Sequence, residues 1–590
     1  MKRTLLLFIL ALAARVSYLG VALRDPTYST PVIDSETYVD DALRLLEGRG
    51  FKDAPFWQGP LYPVFLALPF SMASGSIAVA GFFQSILGAL GCLLTYSLAE
   101  KLLPRNYALA TGVLQALYPL SVFFDLEILA AVLQGPLLVG GVHLLLARQQ
   151  RGQLKAWRPF ASGLLMGFSS LAVPSSLVPG ALLVIWCLLS PGSVGSPRSW
   201  SKGAKNAALF LLGLFLTLFP VSLRNRIHGH EWCLISSNGG INFYIGNNEH
   251  SLLHQSIRPG IEWQILMRAP LSEGLTSPME KNSFFYRKAL QWWREHPMDA
   301  TKWTLTKLFL SLHSREILRN RNFYETAKKV PWLQLPPRPF AFLFALAFMG
   351  AWSGVKRRNL HVGLCAAMAS SVLFVGILFF PTARYRAGSL PFSFILAAFG
   401  VKEFISITSR KNWCEAILWG LACLSLLLFS LLSHPFPSNQ SLNRSLYNEA
   451  YVLTVRKQYL KASELFRRCI EQGIGGVDAW NELAVCEAAI GNREEAERLW
   501  RLVTRLEPGA FEAYYNLGLS LQERGKYKAA LKSYTSARAL DPTMPTLLLR
   551  MAFCAEKLGY KQNAERLLSE AAAISQRPTP KSLHTPSGLR

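Results

Sequence analysis

The side chains best suited to chemistry in this chain are acidic, and they stand beside apolar runs. Asp34 and Glu36 fall two apart in Ile33-Asp34-Ser35-Glu36-Thr37-Tyr38. On an extended segment such residues point to one face. The pair could then hold a divalent cation or supply a general base. A second pair, Asp125 and Glu127, interrupts an apolar stretch that follows Tyr118-Pro119. A carboxylate at the centre of a membrane span costs about 2.5–3.5 kcal/mol on insertion scales. It persists where a cation, a metal or water meets it, and Asp34 and Asp125 are the expected ligands of any divalent cation. Near the other end of the apolar region, Arg384 and Arg386 flank Tyr385. The planar fork of arginine suits phosphate, and the alternative use is snorkelling to headgroups. Between these lies Asn238–Asn248, dense in Gly, Asn and aromatics. Such a loop suits close approach to a polar ligand or a series of turns. Asn238, Asn242 and Asn247, with Tyr38 and Tyr62, are the expected substrate contacts.

The elements that must carry these residues follow from composition. The chain has 590 residues, 51% apolar and only 17% charged, with 62 Lys+Arg against 37 Asp+Glu and a net charge of +25. Soluble domains run near 25% charged. This excludes a single soluble domain, a disordered chain, a collagen-like chain and a small disulfide scaffold. The nine cysteines include no CxxC spacing, so neither a zinc nor a redox site is expected.

A span needs about 20 apolar residues. Eleven are expected, near 4–23, 76–99, 106–123, 126–147, 158–173, 175–191, 205–223, 338–355, 360–380, 388–405 and 413–433. The 158–191 region reads as two tight spans hinged at Pro174, or as one span and a re-entrant piece. The run Pro60–Met72 is too short to cross and is expected at the outer interface. Arg15 in the first run favours a retained anchor over a cleaved signal. Basic residues crowd alternate short loops: Lys2 and Arg3, Lys101 and Arg105, Arg148 and Arg151, Arg198 and Lys202, Lys356 to Arg358, Lys402 and Arg410. Those loops are expected in the cytoplasm. This use of the basic excess leaves no role for nucleic acid. The loops at about 24–59 and 224–337 are then outside the cell membrane, and so is the C-terminal region. Acidic pairs and arginines thus converge on one membrane face. That suits an enzyme using a phosphate-linked lipid donor better than a transporter, whose ionisable residues gather at the midplane.

The order of these motifs resembles the GT-C glycosyltransferases of the protein O-mannosyltransferase and lipid A aminoarabinose transferase type. The resemblance covers about residues 1–430. It rests on Asp34-Ser35-Glu36-Thr37-Tyr38, Gly48 to Phe51, Pro60-Leu61-Tyr62-Pro63, Asp125-Leu126-Glu127, Asn238–Asn248 and Arg384-Tyr385-Arg386. It implies inverting transfer of a sugar from a polyprenyl-phosphate sugar at the outer face, to a protein, lipid or glycan acceptor. By analogy Asp34 is the base or a group that orients the acceptor, Asp125 and Glu127 form the second acidic position that holds the acceptor or a metal, and Arg384 and Arg386 bind the donor phosphate. Ala172-Val173-Pro174 stands where many relatives carry Arg-Pro. Two other readings fit the same composition: a non-catalytic membrane scaffold displaying its C-terminal domain, and a transporter or ligase of lipid-linked glycans.

The tail has a period of 34. Gly491, Gly525 and Gly559 repeat at that spacing, as do Ala462, Ala496, Ala530 and Ala564. Large residues follow at Phe466, Trp500, Tyr534 and Leu568, and Pro508 and Pro542 close two units. Small residues let paired helices approach, and glycine ends the first helix of each pair. This is the tetratricopeptide signature. The expected fold is therefore all-α: a polytopic helix bundle over 1–433 and an α-solenoid of four repeats over 443–576, with a disordered tail at 577–590. The repeats are expected to bind a protein partner or acceptor polypeptide.

Overall fold

The computed structural model describes residues 2–146, 155–189, 200–251, 260–317, 321–334, 338–432 and 439–576. The expected tail at 577–590, and the loop arginines Arg148, Arg151 and Arg198, lie outside the described residues. Among those described the chain is helical, with no strand. It divides into two compact units. One comprises Met1–Ser251 and Tyr286–Pro437, the other Leu252–Phe285 and Ser438–Arg590. The division between the units falls after Pro437, and the long loop at 224–337 is itself divided, its middle grouping with the C-terminal helices.

Among the described residues of the first unit, seven helices are long and apolar enough to cross a membrane: Lys2–Ala22, Ile77–Ala99, Trp200–Gly229, Pro339–Lys356, Leu360–Leu378, Leu390–Ser409 and Trp413–Leu431. Arg105–Leu117 and Pro119–Leu126 together make an eighth, bent by 55°. Pro119 causes the bend, since the residue before proline, Tyr118, is pushed to an extended ψ of 122°. Ala131–Leu145, Trp157–Ala172 and Leu177–Leu189 stand where three further spans are expected, but each is shorter than about 20 residues. The last two are separated at Val173 and Pro174, the expected hinge. Leu61–Met72 is a separate short helix.

Outward surfaces in this unit are apolar. Leu418, Leu421, Leu424 and Leu428 are each about half exposed, as are Leu211, Leu212 and Phe215. So much exposed apolar surface on long helices is what a membrane accommodates. Inside, small residues set the helix spacing. A Cβ on Gly350 would strike the backbone carbonyl of Leu396, and one on Gly400 would lie 2.7 Å from that of Leu346.

The second unit holds four antiparallel helix pairs: Asn439–Val455 with Tyr459–Glu471, Gly476–Ala489 with Arg493–Leu506, Phe511–Glu523 with Tyr527–Leu540, and Pro545–Lys557 with Lys561–Gln576. Gly491, Gly525 and Gly559 adopt φ of 97°, 72° and 80°, the left-handed region in which glycine ends a helix without strain. The matching position of the first pair is Lys457, at φ 60°. Ala462, Ala496 and Ala530 are fully buried at the helix contacts, and Phe466, Trp500 and Tyr534 fill the core beside them.

Candidate functional site

Asp34 opens the helix Asp34–Leu46. The segment is therefore not extended, and the expectation that Asp34 and Glu36 share a face does not hold. Residues two apart on a helix project about 200° apart. Glu36 is exposed and turned away, while Tyr38, one turn on, shares the side of Asp34 and is buried. The residue before the helix, Ile33, holds φ 62° and ψ −127°. Such a backbone is unusual for a β-branched residue and is a form of strain that gathers at functional sites.

Arg384 comes from the short helix Ala383–Ala387. Its Nη1 donates to Asp34 Oδ2 at 2.6 Å, and Gln58 Nε2 donates to Asp34 Oδ1 at 3.1 Å. The Arg384 and Asp34 side chains remain 26% and 28% exposed, so the pair is open to a ligand. Burial opposes the charge on Arg384, but Asp34 outweighs it and holds the guanidinium above its ordinary range. Burial also pushes the Tyr38 phenol up, and Asp34 adds to the effect, so Tyr38 keeps its proton.

A buried relay supports this pair. Tyr38 and Tyr62 meet edge to face with centroids 5.0 Å apart. The Tyr62 hydroxyl donates to Gln84 Oε1 at 3.0 Å. Gln84 Nε2 in turn donates to the backbone carbonyls of Asp125 and Glu127, each at 2.8 Å. Tyr62 and Gln84 are fully buried. Both tyrosines therefore brace the first acidic loop against the second.

The second acidic pair is committed to internal partners. Asp125 Oδ2 accepts from Arg15 Nη2 at 2.6 Å and from Arg15 Nε at 2.8 Å, with Arg15 fully buried. Gly88 leaves the room for it, since a Cβ there would lie 2.5 Å from both groups. Glu127 Oε1 accepts from Arg321 Nη1 at 2.6 Å. Arg321 also lies 3.6 Å from Asp25, which Lys329 approaches at 2.9 Å. Arg386 is likewise enclosed. Its Nη1 donates to Glu316 Oε1 at 2.8 Å, its Nη2 reaches the carbonyls of Ser311 and His313, and its guanidinium lies 3.7 Å over the Phe340 ring.

Of the asparagines, Asn247 is fully buried. Its Nδ2 donates to the carbonyls of Phe243 and Leu378, and its Oδ1 accepts from Lys307 Nζ at 2.8 Å and from Trp293 Nε1 at 3.2 Å. Asn238 and Asn242 are half-buried, and Asn242 Nδ2 donates to the Asn238 carbonyl. Among the described residues no three His, Cys, Asp or Glu side chains gather as a ligand set. Asp34 and Asp125, the expected cation ligands, are each occupied by a guanidinium, so the residues present do not fit a shared divalent cation.

The sequence reading did not find the partners Arg15, Gln84, Glu316 and Arg321. Arg15 and Gln84 had a local signal, a polar residue inside an apolar run. The first loop holds a further acid, Asp53. Burial pushes it up to about 6, with Asp41 adding to the effect.

A tetratricopeptide repeat family profile matches residues 511–544. Solved structures similar to the chain include that of MamA, with 16% identity over 23% of this chain and 79% of that one and a TM-score of 0.22. YrrB, described as a TPR protein with an unusual peptide-binding site, shows 16% identity over 30% of this chain and 86% of its own, also with a TM-score of 0.22. No curated protein matches the chain.

Proposed function

We propose that the protein is an integral-membrane glycosyltransferase that moves a sugar from a polyprenyl-phosphate donor to a protein, lipid or glycan acceptor on the extracytoplasmic face. The observation that carries this reading is the half-open Asp34–Arg384 pair, drawn from opposite ends of the apolar region. Arg384 binds the donor phosphate. Drawn onto that phosphate, its guanidinium releases Asp34, which takes the proton of the acceptor hydroxyl. The acceptor oxygen bonds to the anomeric carbon as the bond from that carbon to the phosphate oxygen breaks. The lipid phosphate leaves with the electron pair, its charge neutralised by Arg384. Tyr38, Tyr62 and Gln84 position Asp34 and are not reactants.

Eleven crossings of the cell membrane complete the proposal, with the repeat domain outside. The alternating basic loops support that orientation. It is also supported by the packing of the loop segment 260–285 with the repeats in one unit, since segments packed together share one side of a membrane.

The test compares lipid-linked sugars and glycosylated products, by mass spectrometry, in cells lacking the chain and in cells given back the wild type or Asp34→Asn. The donor should accumulate and a product should vanish without the chain, and only the wild type should restore both. If neither pool changes, the reading fails. Full restoration by Asp34→Asn would favour a non-catalytic scaffold, and movement of a lipid-linked glycan without a new glycosidic bond would favour a transporter.

A further inference from the structure

The repeat unit contains a helix that does not belong to the repeats. Ile261–Arg268, from the middle of the long loop, packs across Gly476–Ala489 and Phe511–Glu523, the first helices of the second and third pairs. In a tetratricopeptide array the first helices line the inner, concave face, which is the usual binding surface.

The contacts have the form of peptide recognition. At the N-terminal end, Asp478 Oδ1 accepts from the Ile261 backbone N–H at 2.5 Å, where a carboxylate also meets the positive end of the helix. At the C-terminal end, Arg268 Nη2 donates to Glu512 Oε1 at 2.9 Å, its Nε lies 3.4 Å from Asp541 Oδ2, and its guanidinium lies 4.1 Å over the Phe511 ring. Between these ends Ile261 is fully buried in the repeat core, and Ile265 packs against the same core beside Gly509. Asp478 and Glu512 occupy the same place in successive repeats, 34 residues apart. The seven steps of the eight-residue helix from Ile261 to Arg268 rise about 10 Å, close to the spacing of packed helices, so each end of the docked helix meets the acid of its own repeat.

The fit is incomplete in charge. Asp478, Glu482, Glu512 and Asp541 face an occupant that brings one cation, Arg268, and an acid of its own, Glu262, while Lys281, outside that segment, lies near Asp541. Glu512 is 6% exposed, and its Oε2 has no hydrogen-bond partner among the described residues. Arg268 Nη1 is also buried without one among the described residues. The surface thus has capacity for more positive charge than its present occupant supplies.

We propose that the concave face of the repeats is a receptor for a basic helical peptide of a partner protein, with the pattern Gly, aliphatic, three residues, aliphatic, two residues, Arg, and that residues 260–268 are an exchangeable plug holding this site in cis. Tethering gives the plug an effective concentration in the millimolar range. A partner therefore binds only if it matches the two anchors and adds cations. The proposal is independent of the sugar-transfer reading and stands or falls by peptide binding alone.

The test uses the full-length protein in detergent and a fluorescein-labelled synthetic peptide of residues 260–275, followed by anisotropy. Gly260→Leu ejects the plug, because a Cβ on Gly260 would lie 2.6 Å from Asp478 Oδ1. That variant should bind the peptide at least tenfold more tightly than the wild type. A peptide carrying Arg268→Glu should bind it at least tenfold more weakly, and adding Glu512→Arg to the protein should reverse that preference. Arg268→Glu in the protein is the second way to free the site and should behave as Gly260→Leu does. The proposal is overturned if neither freed variant binds better than the wild type, if the two peptides bind alike, or if both variants lose the protease resistance of residues 439–576, which would make the segment a fixed part of the domain.

Discussion

In the first unit, Glu127 and Arg321 meet at 2.6 Å with 4% and 8% of their side chains exposed, while Asp34 and Arg384 meet at the same distance with 28% and 26% exposed. In the repeat unit the acids Asp478 and Glu512 recur with the 34-residue period and are met by the backbone and the arginine of one inserted helix. The three regions use the same charges differently. A buried ion-pair cluster, here Glu127 and Arg321 with Asp25 beside them, fixes helices, since a member stripped of its closest partner leaves a poorly compensated buried charge. A half-open pair can exchange one partner for a ligand. A periodic set of acids makes a surface that reads a peptide in steps of one repeat.

Substitutions can break this comparison. The largest effect is expected at the open pair. Asp34→Asn should lower sugar transfer by about 10²–10⁴-fold, the contribution of a positioned general base, while changing stability by no more than about 1 kcal/mol. Equal loss of stability and activity would merge the two classes of pair. Glu127→Gln should do the opposite. It leaves buried Arg321 with only the more distant carboxylate of Asp25, at 3.6 Å, and should cost about 3 kcal/mol, seen as loss of folded protein in detergent melting. Gly350→Leu, which forces the helices Pro339–Lys356 and Leu390–Ser409 apart, should cost about 1–3 kcal/mol in the same assay.

The repeat unit sharpens the contrast through pH. Burial, then Glu512, pushes Glu482 up to about 7 from an ordinary 4.5, and Asp478 moves the same way. The folded unit therefore holds protons that the unfolded chain has lost, and its stability falls as pH rises from about 4.5 to about 7. Hydrogen exchange of residues 476–523, corrected for intrinsic rates, should show more protection at pH 5 than at pH 7.5. Glu482→Gln should flatten that difference. The smallest effect is expected at Lys457, which holds φ 60° where later repeats place glycine. Lys457→Gly should stabilise the repeats by about 1 kcal/mol, read as a higher melting temperature.

Much of this was legible in the chain before folding. Runs of apolar residues, read against the length a bilayer demands, fall among the described residues on seven long apolar helices and one bent pair, and on three shorter helices where further crossings are expected. The recurrence of Gly491, Gly525 and Gly559 announced four helix pairs and the turns that separate them. Both signals are local, because they depend on helical rise and on which residues tolerate a left-handed turn. The candidate site was legible only in part. Asp34 and Arg384 were singled out by type and do meet, whereas Arg386, chosen for the same reason, is enclosed with Glu316. Glu36 was chosen on the assumption of an extended segment, and the helix beginning at Asp34 turns it away.

Composition and periodicity therefore determined that the chain is helical, rich in potential membrane spans and ended by a repeat array. Tertiary structure alone decided which carboxylate each arginine would meet, with Arg15 reaching Asp125 and Arg268 reaching Glu512. The physical reason is that a charge carries no local mark of its partner. Helix periodicity is written into neighbouring residues, but an ion pair between segments hundreds of residues apart exists only once packing has excluded water from both.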